Sequence, residues 1–453
     1  MTLTLLACGS NSASHLALNH NQDVSRLTPT IFHPSTSIPS TSQIIDLVST
    51  SAHSLLLLSP GSDSDGGKDI LLGAGMNTFG QLGPRCALWD DVKPEGRWKE
   101  VDLVGDLGLE GDWEPIKIAS TWSTTFVVHQ RSVPPAVAQQ DVGGGSSASG
   151  GLNSTERKED DQPEQIVLSC GSNDFGELGG AAPLILNAPS PIPISRPSQR
   201  PTIVDLGLQK GDTVEMIKGG QRHVVVVISG PNGQRVMGWG ASRKGELDAT
   251  SCGAAPGSGT SAKGKCKGKG KSTAYPPTSP PTTINLVVPE GERIVDIALG
   301  ASHTLVFLSS GQVIGWGSNM KGQLTDIDQL DNVIGISATW GGSYFLTSTG
   351  NILSQGSNTH SQLMRSSTTE SRGQITVPEG WKGKRIVAGS EHLLVLATKN
   401  GEEGLWAGGW NEHGNLGLGD EKDRSSLERV DIPSGGKIKG LWGGCASTWV
   451  WVE

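Results

Sequence analysis

The sequence predicts an all-β fold, a seven-bladed β-propeller, because two short strand patterns alternate along most of the chain. Both patterns are clearest in one stretch. Apolar strands are predicted at 294–298 and 304–308, and a Ser-Ser-Gly turn leads to a third strand at 313–316, which a Gly-Ser-Asn turn ends. A single sheet of this size cannot bury both of its faces, so neighbouring copies must supply the core.

The third strand and its turn occur seven times, at residues 5–16, 71–83, 167–179, 236–248, 313–325, 352–364 and 405–417. The other half of the unit also occurs seven times, at residues 44–58, 115–128, 214–227, 294–307, 332–346, 384–396 and 437–452. Such an array commonly closes into a ring, and an open solenoid is the alternative. We expect the ring, because the half-units run from one end of the sequence to the other and leave no capping segments. Which strand joins the ends does not follow from the sequence.

The ring is predicted to be a single domain, residues 1–453, with two long insertions. Residues 131–165 combine a Gly-Ser run with an acidic run, and residues 251–281 combine a Lys-Gly run with a Pro-rich run. Neither composition can bury enough apolar surface to fold, so both insertions are expected to be disordered. The lysines of 263–271 could serve nuclear import or RNA contact, although a solvated linker is the simpler interpretation.

The composition narrows the classes of function. The chain has 36 Lys and Arg against 45 Asp and Glu, a net charge of −9, which disfavours a general nucleic-acid or anionic-membrane surface. Its 6 cysteines form no CxxC pair, so neither a zinc site nor a disulfide framework is indicated. The sequence begins without the basic lead of a signal peptide, and its apolar stretches are too short to span a bilayer. We expect a cytoplasmic monomer, with the nucleus as a second location, no cofactor, no metal and no direct DNA binding.

Motifs of catalysis are not found. The sequence has no GxSxG, HExxH or Walker-type loop, and its Gly-rich turns follow strands without opening a helix. One histidine recurs in the second half-unit, as His53, His223, His303 and His392. One histidine per blade at a repeated position favours hydrogen bonding between strands over metal binding. The sequence therefore predicts a protein without enzymatic activity.

The positions just before that histidine vary most between copies. There the chain carries Trp122, Gln221, Arg222, Trp340 and Glu391. A turn that the fold leaves free to vary is where a propeller can present a partner-specific surface, so these five residues are predicted to bind a protein partner. In the alternative interpretation, both tryptophans lie flat over the inner strands.

The two half-units together resemble the regulator of chromosome condensation repeat family, whose units carry a G-S-N-x-x-G-Q-L-G half and an I-x-x-I-x-x-G-x-x-H half. The resemblance covers nearly the whole chain outside the insertions. In physical terms, Gly supplies a positive φ at the turn, Asn tolerates a left-handed conformation and bonds its own backbone, and the following Leu fills the core between sheets.

Members of this family differ in function. One is an exchange factor for the small GTPase Ran. Another is a plant ultraviolet-B receptor with Gly-Trp-Arg-His-Thr units, which this chain lacks because no Arg follows Trp122 or Trp340. The compact architecture is most similar to the fungal alpha-tubulin suppressor branch. That resemblance implies a non-catalytic adaptor for a small zinc- and iron-binding diphthamide-synthesis protein and for Elongator, acting in diphthamide synthesis and tRNA wobble-uridine modification. The alternative is guanine-nucleotide exchange on a Ran-type GTPase.

Overall fold

The computed structural model describes residues 4–61, 67–88, 95–132, 163–180, 200–251, 275–365 and 372–453. Most of the two predicted insertions, 131–165 and 251–281, lies outside the described residues, so the disorder of that part stays a prediction. Their predicted bounds are too wide, because Arg131 and Gln165 lie in strands and residues 278–281 belong to the strand Thr278–Thr283. Within the described ranges the chain forms seven small antiparallel sheets around a central channel. The predicted seven-bladed β-propeller is confirmed.

The sheets are called blades 1 to 7 in the chain order of their innermost strands. Two strands precede blade 1, β1 (Thr4–Gly9) and β2 (Val24–Pro29). Blade 1 contains β3 (Gln43–Ser49), β4 (His53–Ser59), β5 (Ile70–Gly75) and β6 (Glu95–Glu100). Blade 2 contains β7 (Trp113–Ser120), β8 (Thr124–Arg131), β9 (Gln165–Gly171) and β10 (Thr202–Ile203). Blade 3 contains β11 (Thr213–Gly219), β12 (His223–Gly230), β13 (Gly233–Ala241) and β14 (Thr278–Thr283).

Blade 4 has three strands in the described chain, β15 (Ile294–Leu299), β16 (His303–Leu308) and β17 (Val313–Gly317). Blade 5 contains β18 (Val333–Ala338), β19 (Gly342–Thr347), β20 (Ile352–Gly356) and β21 (Arg372–Ile375). Blade 6 contains β22 (Lys382–Ala388), β23 (His392–Lys399), β24 (Glu402–Gly409) and β25 (Arg424–Val430). Blade 7 begins with β26 (Ile438–Gly444) and β27 (Ser447–Val452).

The connections include short helices, namely α1 (Leu103–Leu107) and 3-10 turns at Pro84–Leu88, Ala249–Ser251, Ile327–Gln329 and Pro433–Gly435. None of the helices in the described ranges has the length and hydropathy that a membrane span requires.

Blade 7 closes the ring by combining both ends of the described chain. Its strand order is β2-β1-β27-β26, so the first strand of the sequence pairs with the last. In that antiparallel pair, Leu6 lies opposite Val450 and Cys8 lies opposite Thr448. This pairing answers the question that the sequence left open, namely which strand joins the ends.

The second strand of each blade is buried on both of its faces. In β4, Leu56 and Leu58 pack with Trp449 of blade 7, whereas Leu55 and Leu57 pack with residues of blade 2. A strand covered on both sides has no reason to alternate apolar and polar residues. This is why the second half-units are continuous apolar runs.

The turn after the third strand explains the repeated glycine. At the start of the turn in blade 4, Gly317 has φ 96°, and a Cβ atom there would lie 2.5 Å from the carbonyl oxygen of Ser302. In the same turn the Asn319 side chain accepts a hydrogen bond from the backbone N–H of Leu324. Asn319 does not adopt the left-handed conformation that the sequence suggested, so that expectation is wrong. The predicted bond between the asparagine side chain and the backbone of the turn is confirmed.

The repeated histidines link neighbouring blades, as predicted. Each is fully buried, and its Nε2 atom lies within hydrogen-bond distance of a hydroxyl on the second strand of the next blade. The four pairs are His53–Thr125 at 2.9 Å, His223–Thr304 at 3.3 Å, His303–Ser343 at 3.2 Å and His392–Thr448 at 3.2 Å. Burial lowers the pKa of these histidines to about 3 or about 4, so all four are neutral at physiological pH.

Candidate functional site

The predicted site residues lie at tight corners between the first and second strands of each blade. The corner residues are 51–52, 122–123, 221–222, 301–302, 340–341, 390–391 and 445–446, and we call the surface that they form with the Gly-Ser-Asn turns the Trp face. Backbone hydrogen bonds close the corners, such as Thr121 N–H to Thr124 O at 2.9 Å and Gly220 N–H to His223 O at 2.8 Å. In blades 1 to 6 three residues lie between the two strands, and in blade 7 two residues do, so each corner is a tight turn at the end of its blade.

The tryptophans of blades 2 and 5 meet over the channel. The ring centroids of Trp122 and Trp340 lie 5.2 Å apart with an interplanar angle of 28°, which is a stacked pair. Both residues line the mouth of the channel and are half-buried. Each ring therefore has the other ring on one of its faces. Stacked aromatic pairs of this kind contribute about 0.5–1.5 kcal/mol beyond the apolar area that they bury.

The backbone holds the two tryptophans in place. The N–H of Trp122 donates to the carbonyl of Gln221 in blade 3, at 3.0 Å. The N–H of Trp340 donates to the carbonyl of Ser390 in blade 6, at 2.8 Å, and its carbonyl accepts from Ala301 in blade 4, at 2.9 Å. Corners of adjacent blades are thus bonded to one another, so the stack stands on a rigid base.

Arg222 extends the stack away from the channel. Its guanidinium carbon lies 5.8 Å from the centroid of the Trp122 ring and 4.8 Å from that of Phe175. The same guanidinium donates to Glu177 Oε1 and to Ser123 Oγ, each at 3.2 Å. The result is a continuous row from Phe175 through Arg222 and Trp122 to Trp340, which spans blades 2, 3 and 5.

Glu177 is the buried counter-charge of that row. Its side chain is 0% exposed, and its Oε2 accepts from the backbone N–H of Phe175 at 2.7 Å. Burial raises the pKa of Glu177, while hydrogen bonds, including one from Arg222, act in the opposite direction. Most other blades place Gln or Asn at this position of the turn, so the glutamate is a local change.

The five predicted residues do not all come together. Trp122, Gln221, Arg222 and Trp340 are brought together, Gln221 through its backbone carbonyl. Glu391 points elsewhere, because its Oε2 accepts from Gln362 Nε2 at 2.7 Å, and burial raises its pKa.

Phe175 and Glu177 are site residues that were not predicted from the sequence. The signal was present in the turn N-D-F-G-E-L, where Glu replaces the Gln of the repeat two residues after an exposed Phe. Phe175 is 40% exposed.

The channel below the stack is lined by charged as well as apolar groups and has a volume of about 490 Å³. Asp296 and Arg385 both lie at bulges of their inner strands and line this space. Burial raises the pKa of Asp296 and lowers that of Arg385.

No group of three or more His, Cys, Asp or Glu side chains that could hold a metal ion occurs among the described residues. The Trp face therefore offers aromatic rings and an arginine side chain as contacts for a bound molecule.

Comparisons with known proteins agree with this architecture. The family model described as the regulator of chromosome condensation (RCC1) repeat matches residues 294–323. The ultraviolet-B receptor UVR8 of Arabidopsis thaliana is 30% identical over 241 residues, 50% of this chain and 48% of that protein. The secretion-regulating guanine nucleotide exchange factor of Bos taurus is 26% identical over 297 residues, 57% of this chain and 54% of that protein. The chain thus spans about half the length of these curated relatives.

Among solved structures, human WBSCR16 superposes with a TM-score of 0.64 at 17% identity and covers 99% of this chain and 100% of that one. Prp20p of Saccharomyces cerevisiae superposes with a TM-score of 0.63 at 17% identity and covers 100% of this chain and 92% of that one. The predicted resemblance to the regulator of chromosome condensation repeat family is confirmed. The closer similarity to the fungal alpha-tubulin suppressor branch stays a prediction.

Proposed function

We propose that this propeller of RCC1-type repeats is a non-catalytic binding protein that receives a protein partner on the Trp face. The observation that carries the proposal is the stacked pair of Trp122 and Trp340, held rigidly over the channel mouth beside Arg222. Tryptophan and arginine dominate the energetics of protein interfaces, and a preformed surface avoids the entropic cost of ordering it on binding.

The partner that the family resemblance implies is a small zinc- and iron-binding diphthamide-synthesis protein, together with Elongator. In this proposal the chain is an adaptor in diphthamide synthesis and tRNA wobble-uridine modification, located in the cytoplasm and also in the nucleus. Trp122 and Trp340 provide apolar burial. Arg222 and Gln221 set the orientation of the partner, and Glu391 contributes at the margin of the contact.

Guanine-nucleotide exchange on a Ran-type GTPase is the second candidate. It is favoured by a relative that is named as a guanine nucleotide exchange factor and by the fold neighbour Prp20p, which binds Gsp1p and histones. An exchange factor acts by binding the GTPase and expelling its nucleotide, so this candidate also requires a protein-binding face. Purified protein should then accelerate GDP release from a Ran-type GTPase by orders of magnitude, and no acceleration would remove the candidate.

The adaptor proposal is tested by affinity capture from cell extract followed by mass spectrometry. The bait is the full chain and the double variant Trp122→Ala/Trp340→Ala. The matched control is Trp410→Ala, a half-buried tryptophan of the same face that lies outside the stack and packs against His360 and His413. Recovery of the diphthamide-synthesis protein or Elongator subunits by the full chain and the control, but not by the double variant, is the expected result. Equal recovery by the double variant, with an intact fold, would contradict the proposal.

A further inference from the structure

The Trp face carries an uneven distribution of charge. The turns of blades 3 and 4 present Arg243, Lys244 and Lys321, all exposed, and we call these three residues the basic crescent. Blade 6 presents Glu412 and Glu391 on the same face. The stacked tryptophans lie between these two regions, because Trp122 and Trp340 belong to blades 2 and 5.

Two cations of the basic crescent are free to bind a partner. Arg243 and Lys321 have no ion pair or hydrogen bond from their side chains among the described residues, whereas Lys244 donates to Ser302 Oγ at 3.3 Å. The glutamate of the same turn, Glu246, is buried and accepts from the backbone N–H of Lys244 at 2.7 Å, and among the described residues it forms no ion pair with the basic crescent. The chain has a net charge of −9, so its overall composition does not account for a patch of unpaired cations. The patch is a local feature of this surface.

Apolar side chains flank these cations. Met320 is 85% exposed at the tip of the blade 4 turn, next to Lys321 in sequence, and Phe175 is 40% exposed beside Arg222. Methionine is an adaptable contact for irregular apolar groups, and cations beside apolar side chains match a segment that alternates acidic and apolar residues. A nucleic acid fits less well, because its uniform negative charge would also meet Glu412 and Asp423 of blade 6.

Resting on the proposed function, we infer that the partner of the Trp face places an acidic segment with apolar side chains on the basic crescent. The carboxylates of that segment pair with Arg243 and Lys321, and its apolar side chains cover Met320 and Phe175. The charges orient the partner, while the tryptophan stack supplies the anchoring contact. Association should therefore be steered electrostatically and should weaken as salt rises.

The test uses a fluorescein-labelled peptide in which glutamates alternate with leucines, and fluorescence anisotropy with the full chain. The lysines of 263–271 could bind the same peptide, so all variants are made in a background with these lysines replaced by glutamine. We expect the double variant Arg243→Glu/Lys321→Glu to bind about tenfold or more weakly, as does the unchanged chain in high salt. The control Lys382→Glu, an exposed lysine at the start of β22 on the opposite face, should bind as the unchanged chain does. Equal binding by the double variant and the control would overturn the inference.

The same anisotropy assay with a single-stranded oligonucleotide tests the class of ligand. An oligonucleotide that binds the basic crescent more tightly than the peptide does would overturn the inference.

The affinity capture separates this inference from the proposed function. A partner whose recovery depends on Trp122 and Trp340 but not on Arg243 and Lys321 would leave the proposed function standing and remove the inference alone. A partner recovered without either dependence would remove both.

Discussion

Two adjacent positions of the same corner have opposite roles in this molecule. His223 is buried and neutral, and it bonds Thr304 of the next blade, as the histidines of three other blades bond their neighbours. Arg222, the residue just before it, is only half-buried and bonds a glutamate that few other blades possess. The repeated histidines hold neighbouring blades together, whereas the positions one and two residues earlier are those to which we assign partner recognition in the proposed function.

The largest expected effect is loss of the fold at acid pH. The unfolded chain protonates its histidines near pH 6.5, whereas His53 and His223 do so only near pH 3 in the folded ring, and His303 and His392 near pH 4. Between these values the unfolded state binds more protons at these four sites, so the four histidines lower the free energy of unfolding as the pH falls below 6.5, whereas buried carboxylates with a raised pKa, such as Asp106, act in the opposite direction. Each histidine adds roughly 1.4 kcal/mol per pH unit to that slope.

Chemical denaturation at a series of pH values would measure this dependence. The contribution of one histidine is the difference in slope between the unchanged chain and His392→Asn. Equal slopes from pH 7 to pH 5 would show that the fold does not hold His392 neutral and would contradict its structural role.

The second effect concerns a single link between blades. His392→Ala removes a buried ring and leaves the Thr448 hydroxyl without the Nε2 partner at 3.2 Å. Together the cavity and the lost hydrogen bond should lower the free energy of unfolding by about 2–4 kcal/mol. Urea denaturation monitored by tryptophan fluorescence measures it, and His392→Asn, which keeps a polar group, should lose less. A loss below that of an exposed control substitution would mean that this histidine does not hold the blades together.

A smaller effect is expected at the buried charge of the site. Glu177→Gln restores the residue type that the repeat usually has and can keep the bond to the Phe175 N–H. It removes both a buried charge and its pair with Arg222, so the free energy of unfolding at pH 7 should change by less than about 1 kcal/mol. Because burial raises the pKa of Glu177, the folded state holds its proton to higher pH, and this group favours folding as the pH falls. That contribution should vanish in the variant.

Partner capture by Glu177→Gln gives the complementary readout. The guanidinium of Arg222 loses its buried carboxylate and should become less ordered over the Trp122 ring, so capture should weaken a few-fold. Unchanged capture together with a large loss of stability would assign Glu177 to the fold and not to the site.

The strands could be predicted closely because their period is repeated. In blade 4 the predicted strands 294–298, 304–308 and 313–316 agree within one residue with Ile294–Leu299, His303–Leu308 and Val313–Gly317. The strand that closes the ring could not be predicted, since β1 and β27 carry the same apolar pattern as strands that pair with their sequence neighbours.

The sequence could predict which positions belong to the site, but not which side chains contact one another there. Deviation from the repeat singled out Trp122, Arg222 and Trp340, but the stacking of two tryptophans from blades 2 and 5 depends on the curvature of the ring, which no local pattern encodes. Phe175 and Glu177 lie in a different half-unit from Arg222. Their contact with it depends on how adjacent blades pack.

The most direct test of the comparison is to measure stability and partner capture on the same two variants, Trp122→Ala and His223→Ala. We predict that Trp122→Ala abolishes partner capture and lowers the free energy of unfolding less than His223→Ala does, because the Trp122 ring is only half-buried. His223→Ala should lower it by about 2–4 kcal/mol, and the fraction that remains folded should still capture the partner. The reverse outcome would contradict these roles: Trp122→Ala would unfold the ring, whereas His223→Ala would leave a stable ring that fails to capture the partner.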